Sequence, residues 1–337
     1  MRTAPPPDFA TALAAGPLVL DGGMSNQLAS AGHDLSDALW SARLLADDPG
    51  AVVAAHRAYF AAGAEVAITA SYQASFEGFA RRGVGHAAAA RLLASSVELA
   101  REAARAEPGG RRRWVAASVG PYGAVLADGS EYRGRYGLSH AELVAFHRPR
   151  LEVLAAARPD VLALETVPDV DEARALLELV RGLGVPAWLS YSVAGGRTRA
   201  GQPLAEAFAL AAEVDEVLAV GVNCCTPQDA DQAVAVAAEV TGKPVVVYPN
   251  SGERWDPERR DWRGEPTFRS ARVGGWLADG ARLVGGCCRV GTDGIAALAA
   301  EVTVRRGVEA ERGDSAAGRG RGPAWAGAPA WPGGAGA

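Results

Sequence analysis

The most constraining feature of this sequence is a regular alternation of short apolar segments with longer, alanine-rich segments of helical spacing. The short segments, rich in β-branched and other apolar residues, lie at residues 18–21, 66–71, 114–120, 161–166, 187–193, 217–224, 244–250 and 283–288. The helix-like segments lie at residues 51–62, 87–106, 141–157, 170–181, 228–240, 268–279 and 293–300. Strands that alternate with helices predict a parallel sheet, and eight such units predict an α/β fold of the (β/α)8 TIM barrel type.

The connections between the predicted elements differ on the two sides of this barrel. The connection from helix to strand is short, as at residues 62–65, whereas those that leave the strands are long, as at residues 24–49, 121–137 and 251–266. Barrel enzymes build their active sites from the loops that follow the strands, so we expect the functional residues there. An open doubly wound sheet is the alternative, but residues 21–24 (DGGM) lack the GxGxxG phosphate-binding pattern that it requires.

Composition and charge restrict the class of function. The chain has 337 residues, 49% of them apolar, and a net charge of −5 from 34 basic and 39 acidic side chains. This apolar content is typical of a globular protein. The mild acidity argues against a nucleic-acid partner, because no chain-wide positive field exists to meet phosphates. No run of 18 apolar residues occurs, which predicts no membrane-spanning helix and no membrane partner.

The domain organisation follows from the same patterns. We predict a single barrel domain over residues 1–303 and a disordered tail over residues 304–337, which is rich in Ala, Gly, Pro and Arg and has no apolar period. The first 20 residues loosely resemble a secretory signal, but three prolines at 5–7 and Asp8 interrupt it. We therefore expect a cytoplasmic enzyme, whose oligomeric state the sequence does not determine.

The four cysteines lie at two predicted strand ends. Cys224 and Cys225 end the sixth strand, and Cys287 and Cys288 end the eighth. Adjacent cysteines bridge each other only with strain, and the two strand ends are predicted to lie within about 10 Å at the mouth of a barrel. Three thiolates that converge on one Zn²⁺ would leave its fourth position open for a substrate. Taken singly, each cysteine could instead be a small apolar core residue.

Several motifs together resemble the homocysteine S-methyltransferase family. They are residues 21–24 (DGGM), 68–74 (ITASYQA), 120–124 (GPYGA), 127–134 (ADGSEYRG), 165–168 (ETVP), 222–224 (VNC), 247–253 (VYPNSGE) and 285–289 (GGCCR). The resemblance extends over nearly all of residues 15–300 and is strongest to the branch that uses S-methylmethionine or S-adenosylmethionine as methyl donor. It implies a zinc-dependent (β/α)8 barrel, in agreement with the strand count.

The resemblance also implies roles for individual residues. It makes Cys224, Cys287 and Cys288 the zinc ligands, through which catalysis would proceed. Cys225 is additional, and because neighbouring strand residues point to opposite faces we expect it to pack away from the mouth. Thr166 stands where, in the betaine-using branch, a tyrosine follows the glutamate, so the fourth zinc ligand in the absence of substrate stays open.

Further residues are candidates for binding the substrate. Glu165, at the end of the fourth strand, is expected to receive the ammonium group of homocysteine; the alternative is a rim carboxylate paired with an arginine. Asp21, Gly22 and Gly23 end the first strand, where backbone N–H groups could hold the substrate carboxylate, although Asp21 could be only a turn residue. The remaining candidates for the pocket wall are Thr69, Tyr72 and Asn223, of which Thr69 could equally reflect strand propensity.

The sequence thus predicts a zinc-dependent enzyme that moves a methyl group from a sulfonium donor to homocysteine and forms methionine. A free thiol is mostly protonated at neutral pH, and Zn²⁺ would hold it as the nucleophilic thiolate. The expected partners are small molecules. Two alternatives remain at this point: a methyltransferase for selenocysteine or another small thiol, and a metal-binding or redox protein whose cysteine pairs cycle between thiol and disulfide.

Overall fold

The computed structural model describes residues 8–35, 39–108, 111–256 and 261–316. Eight parallel strands form one sheet; they are Leu18–Val19, Val66–Ile68, Trp114–Val119, Val161–Val167, Ala187–Tyr191, Val217–Asn223, Val245–Tyr248 and Ala281–Val284. Each strand pairs with the next, the first pairs with the eighth, and a bridge between Leu20 and Val66 joins the first strand to the second. The predicted (β/α)8 barrel is therefore confirmed.

The α-helices of the described residues surround this sheet. They are Phe9–Ala15, Met24–Ser30, Leu44–Asp47, Pro49–Ala61, Phe76–Arg81, His86–Ala106, Tyr122–Leu126, His140–Ala156, Val170–Val180, Leu204–Ala209, Pro227–Thr241, Val273–Ala278 and Thr292–Ala316. Two short hairpins lie outside the barrel; they pair Val193–Ala194 with Arg197–Thr198 and Arg254–Asp256 with Asp261–Arg263. Short helices after the strands carry much of the active-site face, and the helical spacing used above did not predict them because each has only one or two turns.

The strands alternate between an inner and an outer apolar cluster. In the third strand, Trp114 and Ala116 belong to the cluster inside the barrel, whereas Val115 and Val119 pack outward against the helices. The two clusters follow from the two-residue period of a strand whose faces are both buried. Phe9, in the first helix, packs edge-on against Trp114 with ring centroids 5.5 Å apart, so that helix covers the amino-terminal end of the barrel.

The last helix differs from the sequence prediction. It extends from Thr292 to Ala316, so it enters the segment that was predicted to be disordered from residue 304. Val302 is fully buried, and the guanidinium of Arg306 pairs with the Glu65 carboxylate at 2.6 Å. These contacts anchor the helix to the amino-terminal side of the barrel, which a composition argument does not detect. Residues 317–337, which contain the rest of the predicted tail, lie outside the described residues.

Within the described part of the chain, no helix combines the length and the apolar character needed to cross a membrane.

Candidate metal centre and active site

Three cysteine side chains converge at the carboxyl-terminal mouth of the barrel. Cys224 directly follows the sixth strand, and Cys287 and Cys288 follow the eighth. The sulfur of Cys224 lies 2.7 Å from that of Cys287 and 3.9 Å from that of Cys288, and the sulfurs of Cys287 and Cys288 are 4.0 Å apart. Cys224 is buried and the other two are half-buried, so the cluster faces an opening.

This set of donors fits a zinc ion. Tetrahedral coordination with Zn–S bonds of about 2.3 Å places neighbouring sulfurs about 3.8 Å apart. Two of the three separations match this value, and the contact between Cys224 and Cys287 would have to widen by about 1 Å to accept the ion. Three thiolates also leave the fourth tetrahedral position free, as in catalytic zinc sites.

The electrostatics of the thiols explain why a cation is needed. Hydrogen bonds from the thiols of Cys224 and Cys287 hold the pKa of Cys288 well below its ordinary value. Its hydrogen bonds to Cys224 and Cys288, together with burial, raise the pKa of Cys287 well above that value. The bare cluster thus favours a single thiolate, because further negative charges this close would repel. Full deprotonation of all three requires a bound cation.

Backbone conformation separates the two cysteines at the end of the sixth strand. Cys224 has φ of +48°, a left-handed conformation that is uncommon for a residue with a side chain. Its carbonyl accepts a hydrogen bond from the Ser192 hydroxyl at 3.2 Å. Cys225 is 1% exposed and belongs to the outer apolar cluster between strands and helices. The side chain of Cys225 is therefore directed away from the three clustered sulfurs, as expected for a packing residue.

Glycines allow the turns after the first and eighth strands to touch. A Cβ on Gly22 would lie 2.3 Å from the carbonyl oxygen of Val290, and one on Gly23 would lie 2.8 Å from that of Cys287. The N–H of Gly23 donates to the Val290 carbonyl at 3.0 Å. A Cβ on Gly285 would lie 2.6 Å from a side-chain carbon of the first strand's end. The glycine-rich motifs at 21–24 and 285–289 thus bring the cysteine turn against the end of the first strand.

Two buried carboxylates lie at the ends of the first and fourth strands. Glu165 is 6% exposed; it accepts hydrogen bonds from the hydroxyls of Ser118 and Tyr248, the latter at 3.0 Å. Burial raises the pKa of Glu165 to about 7. Asp21 is 1% exposed, and its Oδ2 accepts the Ile68 N–H at 2.8 Å. Burial raises its pKa too, and the charge of Glu165 adds to this effect.

Neither carboxylate has a counter-ion. In the described part of the chain, no arginine, lysine or histidine pairs with Asp21 or Glu165, and Oδ1 of Asp21 is buried without any hydrogen-bond partner. Glu165 is therefore not a rim carboxylate paired with an arginine, which was the alternative role considered for it. Burial without a counter-ion disfavours the ionised form of both carboxyl groups, and a cationic group placed beside them would offset this cost.

The three further pocket candidates have different surroundings. The Thr69 hydroxyl bonds the Ser71 hydroxyl at 2.7 Å and accepts the Ser118 N–H at 3.0 Å. Asn223 forms two 2.7 Å hydrogen bonds with Thr166, accepting from its N–H and donating to its hydroxyl. Thr69 thus connects the ends of the neighbouring second and third strands, whereas Asn223 connects the ends of the fourth and sixth strands across the mouth of the barrel.

Tyr72 has a different position, on the loop after the second strand. Burial, the charge of Glu131 and the charge of Cys224 raise its pKa, so its phenol lies close to the thiol cluster. A Cβ on Gly120 would lie 2.6 Å from its ring, which means that this glycine leaves the space that the ring occupies. The Tyr72 ring thus packs against the residue that follows the third strand, within electrostatic range of the thiol cluster.

The structure adds residues that the sequence argument did not assign. Ser118 and Tyr248 hold Glu165, and Thr166, with φ of +59°, is fixed by Asn223 beside the site. In the sequence, each of these residues could be recognised only as lying at or near the end of a strand, and nothing indicated its hydrogen-bond partner. Two residues of the 127–134 motif act on the thiols as well. A hydrogen bond from the Tyr132 side chain helps to lower the pKa of Cys288, and the charge of Cys224 helps to raise the pKa of Glu131.

Comparison with known proteins supports the same interpretation. A sequence model of the homocysteine S-methyltransferase family matches residues 18–302. The homocysteine S-methyltransferase YbgG of Bacillus subtilis is 44% identical over 301 residues, which cover 84% of this chain and 93% of that protein. A selenocysteine Se-methyltransferase of Brassica oleracea is 40% identical over 310 residues, covering 86% and 89%.

A solved structure agrees as well. The metallated form of the homocysteine methyltransferase MmuM from Escherichia coli has a TM-score of 0.78 and 42% sequence identity to this chain. The match covers 86% of this chain and 98% of that one. The sequence match to the family includes every residue of the site described above. The chain therefore belongs to the homocysteine S-methyltransferase family and is a methyltransferase.

Proposed function

We propose that this protein transfers a methyl group from a cationic sulfonium donor, S-methylmethionine or S-adenosylmethionine, to L-homocysteine, with Cys224, Cys287 and Cys288 as ligands of one Zn²⁺. The observation that carries the proposal is the convergence of these three sulfurs beside two buried carboxylates that lack a counter-ion. Free cysteines and small-molecule substrates are consistent with a cytoplasmic enzyme.

Asp21 and Glu165 are the proposed receptor for the substrate ammonium group. An ammonium offers three N–H donors, and Oδ1 of Asp21 is a buried acceptor without a partner. The charge of the ammonium would offset the repulsion between the two carboxylates, so its binding is favoured over that of a neutral amine. Ser118 and Tyr248 hold Glu165 in place for this contact. The substrate carboxylate would then point toward the backbone at Gly22 and Gly23.

Bound zinc would supply a Lewis acid that keeps the homocysteine sulfur deprotonated at neutral pH. The residues of the chain would then mainly align that sulfur with the methyl carbon and the leaving sulfur of the donor. The new S–C bond forms as the donor's S–C bond breaks, and the electron pair of the broken bond stays on the donor sulfur. The sulfonium becomes a neutral thioether, and the thiol proton passes to solvent.

A thiol other than homocysteine is the main alternative substrate. Selenocysteine carries the same ammonium and carboxylate groups, so Asp21 and Glu165 would receive it in the same way. Discrimination by one methylene and one chalcogen atom is worth only a few kcal/mol, about 10- to 200-fold. Membership of a methyltransferase family gives no support to the alternative of a redox protein built on cysteine pairs.

A panel of donors and acceptors tests the proposal. Purified, reduced protein is assayed with homocysteine and S-methylmethionine, S-adenosylmethionine or betaine, and its zinc content is measured. We expect near-stoichiometric zinc and faster transfer from either sulfonium than from betaine. Replacement of homocysteine by selenocysteine in the same assay decides the acceptor. Absence of zinc, or a preference for betaine, would contradict the proposal.

A further inference from the structure

The loop after the third strand brings a third buried carboxylate to the site. Glu131 lies in the short 3-10 helix Ser130–Tyr132 and is 8% exposed. Its Oε2 is buried and has no hydrogen-bond partner within the described residues. Its backbone packs directly on Gly123, where a Cβ would lie 2.5 Å from the Glu131 nitrogen. Close backbone contact therefore fixes the point from which this side chain extends, and one of its two carboxylate oxygens is left without a partner.

The surroundings of Glu131 are aromatic and negative. It lies near enough to Tyr72 and Cys224 for the charges to interact, and Tyr132, the next residue, faces the Cys288 thiol. The ionisable groups that act on Glu131 are Cys224 and Asp128, which both repel its charge. Burial raises the pKa of its carboxyl to about 7.

The nearby arginines have other partners. Arg135 donates from Nε and from a terminal nitrogen to the carbonyl of Ala200, at 3.0 and 2.8 Å. Arg199 stacks on the Tyr132 ring, 5.3 Å from its centroid, and donates from Nε to the Ser192 hydroxyl. Arg133, two residues further on, donates to the Gly134 carbonyl at 3.3 Å. Within the described residues, Glu131 is thus a buried carboxylate without an ion-pair partner, in electrostatic range of the Cys224 thiol. An ionised carboxylate in this position is costly, so the group either takes up a proton or is met by a cation from outside the chain.

We propose that Glu131 is the counter-ion for the sulfonium group of the methyl donor, in a subsite walled by Tyr72 and Tyr132. This inference rests on the proposed function. The homocysteine ammonium is already assigned to Asp21 and Glu165, so the donor is the second cation that the reaction brings. A sulfonium has no N–H to donate, so a site recognises it by charge and by aromatic faces, which are the groups present here.

The reaction predicts a particular kinetic effect of Glu131. The positive charge on the donor sulfur falls as the methyl group leaves, so the carboxylate stabilises the bound donor more than the transition state. Loss of the carboxylate should therefore raise the KM for the donor while kcat stays the same or rises. Loss of the carboxylate should also remove the preference for binding the cationic donor over binding its neutral thioether, the product that the site must release.

The test compares Glu131→Gln with Glu152→Gln, the same substitution at an exposed carboxylate of helix His140–Ala156. For Glu131→Gln we expect the donor KM to rise about 10- to 100-fold, the usual range for loss of a charge-assisted contact. Zinc content and the KM for homocysteine should stay within about twofold of the parent, as every parameter should for Glu152→Gln. A donor KM that changes by less than about twofold in Glu131→Gln would overturn the inference.

Equilibrium binding gives a second readout that is independent of turnover. Calorimetry on the zinc-loaded parent compares S-methylmethionine with methionine, its neutral thioether, and we expect the cation to bind at least about 10-fold more tightly. Glu131→Gln should narrow this preference, and Glu131→Asp, which keeps the charge, should retain most of it. No preference in the parent would overturn the inference even if Glu131→Gln does not fold. Failure of the proposed function is distinct, because the parent would then transfer no methyl group from either sulfonium.

Discussion

Replacement of Glu165 by glutamine should stabilise the protein at alkaline pH while it weakens the binding of homocysteine. The side chain is 6% exposed, and burial moves its pKa from 4.5 to about 7. A carboxyl whose pKa is higher in the folded state contributes stability that is fully present below the unfolded pKa and is lost as the pH rises through the folded pKa. The parent therefore loses stability between about pH 4.5 and pH 7 because of this group, and Glu165→Gln does not.

The magnitude follows from the size of the shift. Each pKa unit corresponds to about 1.4 kcal/mol, so the change from 4.5 to about 7 is worth about 3 kcal/mol in the free energy of unfolding. Glutamine keeps a carbonyl acceptor for one of the two hydroxyls of Ser118 and Tyr248, and rearrangement at the other costs about 1 kcal/mol at every pH. The part of the difference in unfolding free energy between Glu165→Gln and the parent that changes with pH therefore measures the effect of the charge alone.

Urea unfolding at about pH 5 and about pH 8, on samples with matched zinc content, measures this effect. The advantage of Glu165→Gln over the parent should grow by about 2–3 kcal/mol between the two conditions, and its KM for homocysteine should rise about 10- to 100-fold because the ammonium loses a charged partner. Glu152→Gln, on the exposed side of helix His140–Ala156, is the control and should change neither quantity. An equal pH dependence in Glu165→Gln and the parent would refute the reasoning, as would an unchanged homocysteine KM.

Three further predictions concern other parts of the molecule. Cys224→Ala should lose bound zinc while Cys225→Ala keeps it, and equal zinc in the two purified proteins by elemental analysis would contradict the ligand set. Gly22→Ala places a methyl group 2.3 Å from a backbone oxygen and should lower the free energy of unfolding in urea by about 3 kcal/mol. Gly16→Ala is the control and should be neutral, because nothing lies within 4 Å of its added methyl group. Equal urea midpoints for the two variants would contradict the prediction and show that the turn adapts to the added methyl group. Burial lowers the pKa of His56 to about 4, so the unfolded chain takes up a proton as the pH falls below 6.5 and stability declines toward pH 4 by up to about 3 kcal/mol. His56→Phe should reduce this decline in stability at acid pH, and an unchanged decline would show that His56 does not cause it.

Much of the fold could be predicted from local patterns. Seven of the eight barrel strands lie at the predicted segments, and the eighth, Ala281–Val284, overlaps its predicted segment 283–288 only at residues 283 and 284. The seven predicted helices are present. The helix at Val273–Ala278 is shorter than predicted, because residues 270–272 form a 3-10 turn, and the helix from Thr292 is longer. The helices that were missed, such as Leu204–Ala209, have one or two turns and owe their stability to tertiary packing more than to periodicity.

The candidate site could be predicted only in part. The cysteines, Asp21 and Glu165 were accessible because each ends a strand, and parallel strands bring their ends to one edge of a barrel. The hydrogen bonds between Asn223 and Thr166, by contrast, join the ends of the fourth and sixth strands, which are 57 residues apart. The buried pair of His147 and Glu172, 2.8 Å apart, was equally inaccessible, since a histidine on a helix is more often exposed or at a cap.

The amino-acid sequence alone determined the number of strands, the side of the barrel that carries the long loops and the two strands after which the cysteines lie. These depend on short-range periodicity and on the direction of each strand, which neighbouring residues specify. Only the tertiary structure decided which carboxylates are buried without a counter-ion among the described residues. That property of Asp21, Glu165 and Glu131 depends on where every distant arginine and lysine lies, and burial and charge balance result from the packing of the whole chain.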